Sequence, residues 1–288
     1  MAREGRDDMS SAPVMIQRTA ARCWRALIDD QHVGMVSIHP GSVPEARFVR
    51  LSVDLPFRRR GIGLMLIDTV GAELRRAGCR TAEALAVAGS EGELLAHRLG
   101  ATVGDELVDD VLSFESIDPT LLKKICVPPK SYELRHWVGH VPGGLVESYA
   151  QAKRSIADAP NRHPPPVPAW DAEMIRVHER ARADSGADLW VEAAVVIGTD
   201  EVVAFTEIEI PSLSAEASQV DTAVLPAHRR KGLATAVKAD LLLRLLADRP
   251  DLGSVLVTCA LANTGMRAVN HRLGFREQQR RTLYRLDL

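Results

Sequence analysis

Arg229-Arg230-Lys231-Gly232-Leu233-Ala234 decides the reading of this chain, and Arg58-Arg59-Arg60-Gly61-Ile62-Gly63 is an earlier copy of it. Each hexapeptide follows a β-rich segment and opens an apolar run with helical spacing. At such a junction free backbone N–H groups converge with the positive end of the helix dipole, which makes a seat for phosphate. Glycine at the fourth position and a tiny residue at the sixth let a pyrophosphate approach the backbone with no Cβ in the way. The spacing is wrong for other phosphate loops. Gly61-Ile62-Gly63 lacks the third glycine of G-x-G-x-x-G, and G-x-x-x-x-G-K-[ST] does not occur. The chain is therefore expected to hold a phosphate-bearing cofactor, with a second seat in the earlier copy.

The sequence after the second hexapeptide is equally ordered. Leu233, Val237, Leu241, Leu242, Leu245 and Leu246 recur at helical spacing, and Pro250 ends the run. Residues 254–259 read as a buried strand, and Asn263 starts a helix that closes at Leu273-Gly274-Phe275. R-x-x-G-x-[GA], followed by a strand and then N-x-x-A-x-x-x-Y-x-x-x-G-F, resembles the acyl-CoA site of the GCN5-related N-acetyltransferase (GNAT) superfamily. Asn263, Gly274 and Phe275 match, Met266 stands for the alanine, and Asn270 occupies the tyrosine position. The resemblance covers most of residues 132–288.

Internal repetition extends the argument. His97-Arg98-Leu99-Gly100 and His271-Arg272-Leu273-Gly274 are the same tetrapeptide. Gly61 to Gly100 is 39 residues and Gly232 to Gly274 is 42, so two ordered matches recur at near-equal spacing. A length of 288 residues also suits two domains of about 150. The expected fold is mixed α/β: two tandem GNAT-like domains, each a twisted mixed sheet flanked by helices. The boundaries expected are 1–118 for a degenerate first domain and 131–288 for a complete, catalytic second one. The stretch 115–130, with Pro119, Pro128 and Pro129, reads as the linker.

The halves differ in what precedes the loop. In the first, short strands are expected around 21–28, 33–39 and 46–54, with no long helix before Arg58. In the superfamily two helices after the first strand form much of the acceptor pocket, so this half lacks them. Gly89 and Ala96 also replace the asparagine and tyrosine positions. The second half reads as complete: a strand at 131–138, helices at 145–157 and 174–183, then strands at 190–197, 202–210 and 219–224. Between the two helices a proline-rich stretch from Pro160 to Pro168 reads as a loop at the pocket rim.

Composition limits the partners. Thirty-six basic against thirty-eight acidic residues give a net charge of −2, so no global attraction to nucleic acid is expected. Residues 1–11 lack an apolar leader core, no apolar run approaches 18 residues, and neither export nor a membrane partner is expected. Four cysteines without C-x-x-C spacing fit a reducing, cytoplasmic setting, and no metal site is expected. Arg280-Arg281 reads as a solvated edge.

The resemblance implies acetyl-CoA as co-substrate and direct attack by a primary amine of a small-molecule or peptide acceptor. It implies cofactor contacts at Ala223, Val224, Arg229, Arg230, Lys231, Gly232, Leu233, Ala234 and Asn263, and by repetition at Arg58, Gly61 and Gly63. A backbone N–H near Ala223-Val224 would stabilise the oxyanion. Asp221, Glu207 and Glu209 are carboxylates placed for a general base, the two glutamates sharing a strand face at period two. Asn270 can hydrogen-bond to sulfur but cannot act as an acid, and Tyr284 is the alternative phenol. The competing reading is a non-catalytic acetyl-CoA sensor or scaffold. The tandem architecture resembles that of mycothiol synthase.

Overall fold

In a computed structural model, residues 13–160 and 168–288 are described. The N-terminal stretch 1–11 and most of the expected pocket rim, 160–168, lie outside them. Twelve strands and seven α-helices follow in order: β1 Met15–Ala20, β2 Cys23–Ile28, β3 Gln31–Pro40, β4 Ala46–Val53, α1 Ile62–Arg76, β5 Thr81–Val87, α2 Glu91–Arg98, β6 Thr102–Ser113, α3 Pro119–Ile125, β7 Tyr132–Val138, α4 Val146–Arg154, α5 Ala172–Ser185, β8 Asp188–Val196, β9 Val202–Ile210, β10 Glu216–Val224, α6 Leu233–Asp248, β11 Ser254–Ala260, α7 Thr264–Arg272 and β12 Arg276–Asp287.

The chain forms two compact units, Met1–Gly104 with Thr282–Leu288, and Asp105–Arg281. The division falls inside β6, not in the proline-rich stretch 115–130. That stretch holds α3, whose start is fixed by the Asp118 carboxylate accepting from the N–H groups of Thr120 and Leu121. Proline at the first helical position needs no N–H partner there. Leu122 of α3 is buried in the core of the second unit beside Leu241, Leu242 and Leu245 of α6. Each fully buried leucine of this kind contributes about 1.5–3 kcal/mol.

In the first unit β1 to β5 run in sequence order, followed by the end of β12. β1 to β4 are antiparallel, and β4 and β5 are parallel. Among the described residues no α-helix precedes α1, as the sequence implies. In the second unit the order from one edge is β7-β8-β9-β10-β11-β6, with the start of β12 next. Here too the outer strands are antiparallel and the β10–β11 pair is parallel.

Both faces of the second sheet are covered. Phe205, Ala193, Val191 and Ala223 pack under α4 and α5 with Trp137, Tyr149 and Trp170. Ala204, Ala194 and Val203 pack under the start of α6 with Leu233 and Val237. β9 is nearly all buried because its two faces meet these two layers, so its apolar residues run on instead of alternating. α5 starts where the Asp171 side chain accepts from Met174 N–H, and it stops at Gly186 with φ 74°.

Candidate functional site

The loop after β10 takes its shape from backbone, not side chains. Pro226–His228 makes one tight turn, Arg230 sits at φ 63°, and Gly232 at φ 81° caps α6. No side chain caps α6 and no acidic residue lies in its first turn. Its orphan N–H groups therefore open onto the exposed 229–232 stretch, the arrangement that binds anions. Arg229, one of the expected cofactor contacts, is half-exposed and anchored beside its own loop. Its Nε donates to Val224 O at 3.0 Å and its terminal nitrogen to Asp158 at 2.5 Å, which ties the loop to the strand before it. Lys231 Nζ donates to Tyr132 Oη at 3.0 Å, and that oxygen also lies 2.9 Å from His228 Nδ1.

β10 and β11 diverge beside this loop. Their pairing covers only Glu216–Gln219 against Ser254–Val257, while β10 runs on to Val224 along β9. A bulge takes β10 three steps, from Gln219 to Thr222, against two on β9. The two strands thus splay apart beyond Gln219 and Val257 and leave an opening between them. Leu225 N–H donates to Val203 O at 2.8 Å. Because antiparallel ladders alternate, the N–H of Val224 points the other way, into the opening. Val224 O, which accepts from Arg229, confirms that direction.

On the α4–α5 side of the same strand lies a group the sequence did not reveal. Lys153 of α4 is almost fully buried, with Nζ 2.6 Å from Glu207 Oε1 and 3.1 Å from Asp221 Oδ2. Tyr149, one turn earlier, donates its hydroxyl to the same Glu207 oxygen. The Lys153 ammonium also lies 4.6 Å from the Trp170 ring centroid and 5.3 Å from that of Phe205. Burial, then the charges of Glu207 and Asp221, hold the Tyr149 phenol well above its ordinary pKa, so it stays a donor. Burial also raises the Asp221 carboxyl, Lys153 opposes that shift, and Glu207 adds to it. Of the three base candidates, Glu207 and Asp221 are thus joined through one lysine. Glu209 faces the same side and takes Arg182 Nε at 2.9 Å.

The remaining predicted residues lie apart from this cluster. Asn263 caps α7, its side chain accepting from Met266 N–H. Asn270 is fully enclosed, and neither atom of its amide has a hydrogen-bond partner among the described residues. Tyr284 belongs to the first unit, because the last strand ends there. Its hydroxyl donates to Glu93 at 2.9 Å beside His97 of α2. Arg281 is not a solvated edge either, since it binds the buried Asp109 carboxylate at 2.5 Å. Lys238 of α6, buried between Gln219 Oε1 at 3.0 Å and the Phe275 ring, stands where the β10–β11 pairing ends. Burial pushes its pKa down to about 7, against the pull of Cys259 and Asp110.

The first unit repeats the loop geometry. Arg59 has φ 63° and Gly61 φ 82°, α1 lacks a side-chain cap, and Arg58 Nε donates to Val53 O at 2.8 Å. β4 pairs with β5 only over Ala46–Phe48 and Thr81–Glu83 before the two diverge. Gly63 lies in the first turn of α1, where an added Cβ would sit 3.6 Å from Leu95.

Comparison with known proteins places these features. The model of the acetyltransferase (GNAT) family matches residues 2–99 and 155–275, one stretch in each half. A tandem GNAT protein from the clavulanic acid biosynthesis pathway, solved without acetyl-CoA, superposes with a TM-score of 0.75 at 24% identity, covering 92% of this chain and 82% of that one. A GCN5-related N-acetyltransferase from Sphaerobacter thermophilus superposes at 0.70 and 16% identity, covering 94% and 82%. These likenesses are of fold. A search of curated protein sequences gave no match. No helix among the described residues is long and apolar enough to cross a membrane.

Proposed function

Because the chain belongs to the acetyltransferase (GNAT) family, we propose that its second unit is an acetyl-CoA-dependent N-acetyltransferase acting on a primary amine. The observation that carries this reading is the inward N–H of Val224, three residues past Asp221 and at the end of the strand whose loop leads to an uncapped helix start. The N–H groups at 230–234 would hold the pyrophosphate, with the Arg230 and Lys231 charges beside it. Leu233 and Ala234 would contribute backbone only. The Val224 N–H would meet the oxygen of the thioester carbonyl as charge develops on it, and Ala223 would line the acceptor side of that carbon.

An alkylamine with a pKa around 10 must lose a proton before or during attack. Asp221 is the better placed acceptor of that proton: its raised pKa brings it closer to neutrality, and it is less buried than Glu207. Attack forms the new C–N bond, and collapse of the tetrahedral adduct breaks the C–S bond. The leaving thiolate has a pKa near 8.5 by analogy with cysteine and needs no acid. That suits a site in which Asn270 replaces tyrosine and its amide is sealed in the protein interior. The same sealed amide, with Lys153 on both carboxylates, favours the second reading, an acetyl-CoA sensor without turnover.

The test is calorimetric titration with acetyl-CoA followed by a free-thiol assay across amines, amino acids and peptides. Binding with thiol release supports the enzyme. Binding without release for any acceptor turns the conclusion to the sensor, and absence of binding removes both.

A further inference from the structure

The hollow beside Lys153 is small, and its walls are not all apolar. It has a volume of about 20 Å³, and Trp137, Val141, Tyr149 and Ile175 line it together with Lys153 and Glu207. One water needs roughly 10–15 Å³ of such room, so the hollow takes a water and no organic group. Two of the lining residues carry a buried polar atom with no hydrogen-bond partner among the described residues: Trp137 Nε1, a donor, and Glu207 Oε2, an acceptor. Glu207 is 1% exposed and Trp137 6%. Buried polar groups are normally paired. A single water satisfies both atoms, accepting from the indole and donating to the carboxylate. A third partner is at hand, because Lys153 has three N–H groups and spends two of them on Glu207 Oε1 and Asp221 Oδ2. Three partners are usual for a buried water.

The other charged groups around the hollow are accounted for. Glu207 Oε1 takes Lys153 and the Tyr149 hydroxyl. On α5, Arg182 pairs with Glu209, and Glu179 pairs with Arg176 and His140. Burial, then Arg182 and Lys153, lowers the pKa of His178, so it adds no cation near neutrality. Among the described residues, Glu207 Oε2 is thus the carboxylate oxygen of the wall that no protein group serves.

We propose that the hollow is a built site for one water, and that this water positions the base by keeping Glu207 ionised beside Lys153. The part concerning the base rests on the reading of Asp221 as the proton acceptor. A donor on Oε2 favours the carboxylate over the carboxylic acid. Glu207 and Asp221 then share one ammonium. Burial is the largest cause of the raised Asp221 pKa, Lys153 opposes it, and the Glu207 charge adds to it. Without the water, Glu207 takes up a proton more readily, and Asp221 loses the neighbouring charge that helps to hold its pKa up. The water touches no substrate and acts through Glu207 and Lys153 on the group that does.

A crystal structure of the full chain with its ordered waters is the direct test. A water within hydrogen-bond distance of both Trp137 Nε1 and Glu207 Oε2 is expected, and a dry hollow overturns the proposal. Val141→Ile tests it in solution, because the added carbon takes the water's room. Filling a dry cavity raises the melting temperature, whereas displacing a water that bonds to buried polar atoms lowers it. A lower melting temperature is expected, and an unchanged or higher one overturns the site. Titration of the Asp221 carboxyl by carbon NMR reads the link to the base without relying on turnover. It should move to lower pH in Val141→Ile, as it should in Glu207→Gln, and a titration that stays put in either variant overturns the link. If water and titration behave as expected while no acceptor releases CoA thiol, the site stands and the transferase reading falls. Thiol release with a dry hollow is the reverse.

Discussion

The two loops, 58–61 and 229–232, are nearly the same object, and the surroundings of the two are not. Their paired backbone angles are 63° and 82° against 63° and 81°, and each first arginine bonds to the last carbonyl of the preceding strand. Yet the second unit adds α4 and α5 with a buried lysine between two carboxylates, where the first has no helix before α1 among the described residues. Lys238, six residues past its glycine, corresponds to Ile67, and Asn270 corresponds to Ala96. Phosphate seating depends on backbone shape and tolerates drift in side chains. Acceptor chemistry depends on particular side chains from several elements, so it is the part a duplicate loses first.

The largest expected contrast lies in the ion pairs. Lys153→Met should destabilise the second unit by about 3–5 kcal/mol, because Glu207 is left buried and charged. Arg58→Met breaks the half-exposed pair with Glu91 and the bond to Val53 O in the first unit and should cost no more than about 2 kcal/mol. Scanning calorimetry of both variants checks the difference, and comparable losses would break the comparison.

Lys238 sharpens it through pH. Its folded pKa of about 7 lies below that of an unfolded lysine, about 10.4. Between those values the unfolded chain binds a proton that the folded chain does not, so stability rises with pH across that window. The slope is at most about 1.4 kcal/mol per pH unit. Lys238→Met should flatten the rise in denaturant unfolding, whereas Ile67→Met in the first unit should leave it unchanged.

Glycine substitutions probe what the loops share. An added Cβ meets nothing within 4 Å at Gly61 or Gly232, but both have positive φ. Gly61→Ala and Gly232→Ala should therefore cost the same, about 1–2 kcal/mol each, by denaturant unfolding. Valine would add β-branch strain and blur the test. The smallest effect belongs to Asn270→Leu. Its amide is unsatisfied, so an apolar side chain of similar size should leave the melting temperature unchanged or raise it.

Much of this was legible in the chain. The hexapeptides placed both loops, and β-rich composition placed β9 at its observed bounds, Val202–Ile210. The carboxylates Glu207 and Asp221 were readable as candidates from their strands, but their joining was not. Lys153 comes from a helix 54 residues before one partner and 68 before the other, and no local pattern encodes such a meeting. One signal did exist: Tyr149, Ala152 and Lys153 occupy one buried stripe of α4, where a lysine is out of place. α3 was hidden because its prolines read as a linker, although Asp118-Pro119 is also a helix start. β6 was obscured by Asp109 and Asp110, charged residues that the fold buries.

The central claim is that the second unit transfers acetyl groups and the first does not. Its most direct test is the rate of CoA release from acetyl-CoA, at a saturating amine, by Gly61→Ala and Gly232→Ala side by side. Because the two substitutions impose the same strain, stability cancels from the comparison. The account predicts that Gly61→Ala keeps nearly the parent rate while Gly232→Ala loses at least about tenfold, roughly 1.4 kcal/mol of transition-state binding. Equal losses in the two variants, or the larger loss at Gly61, would contradict it.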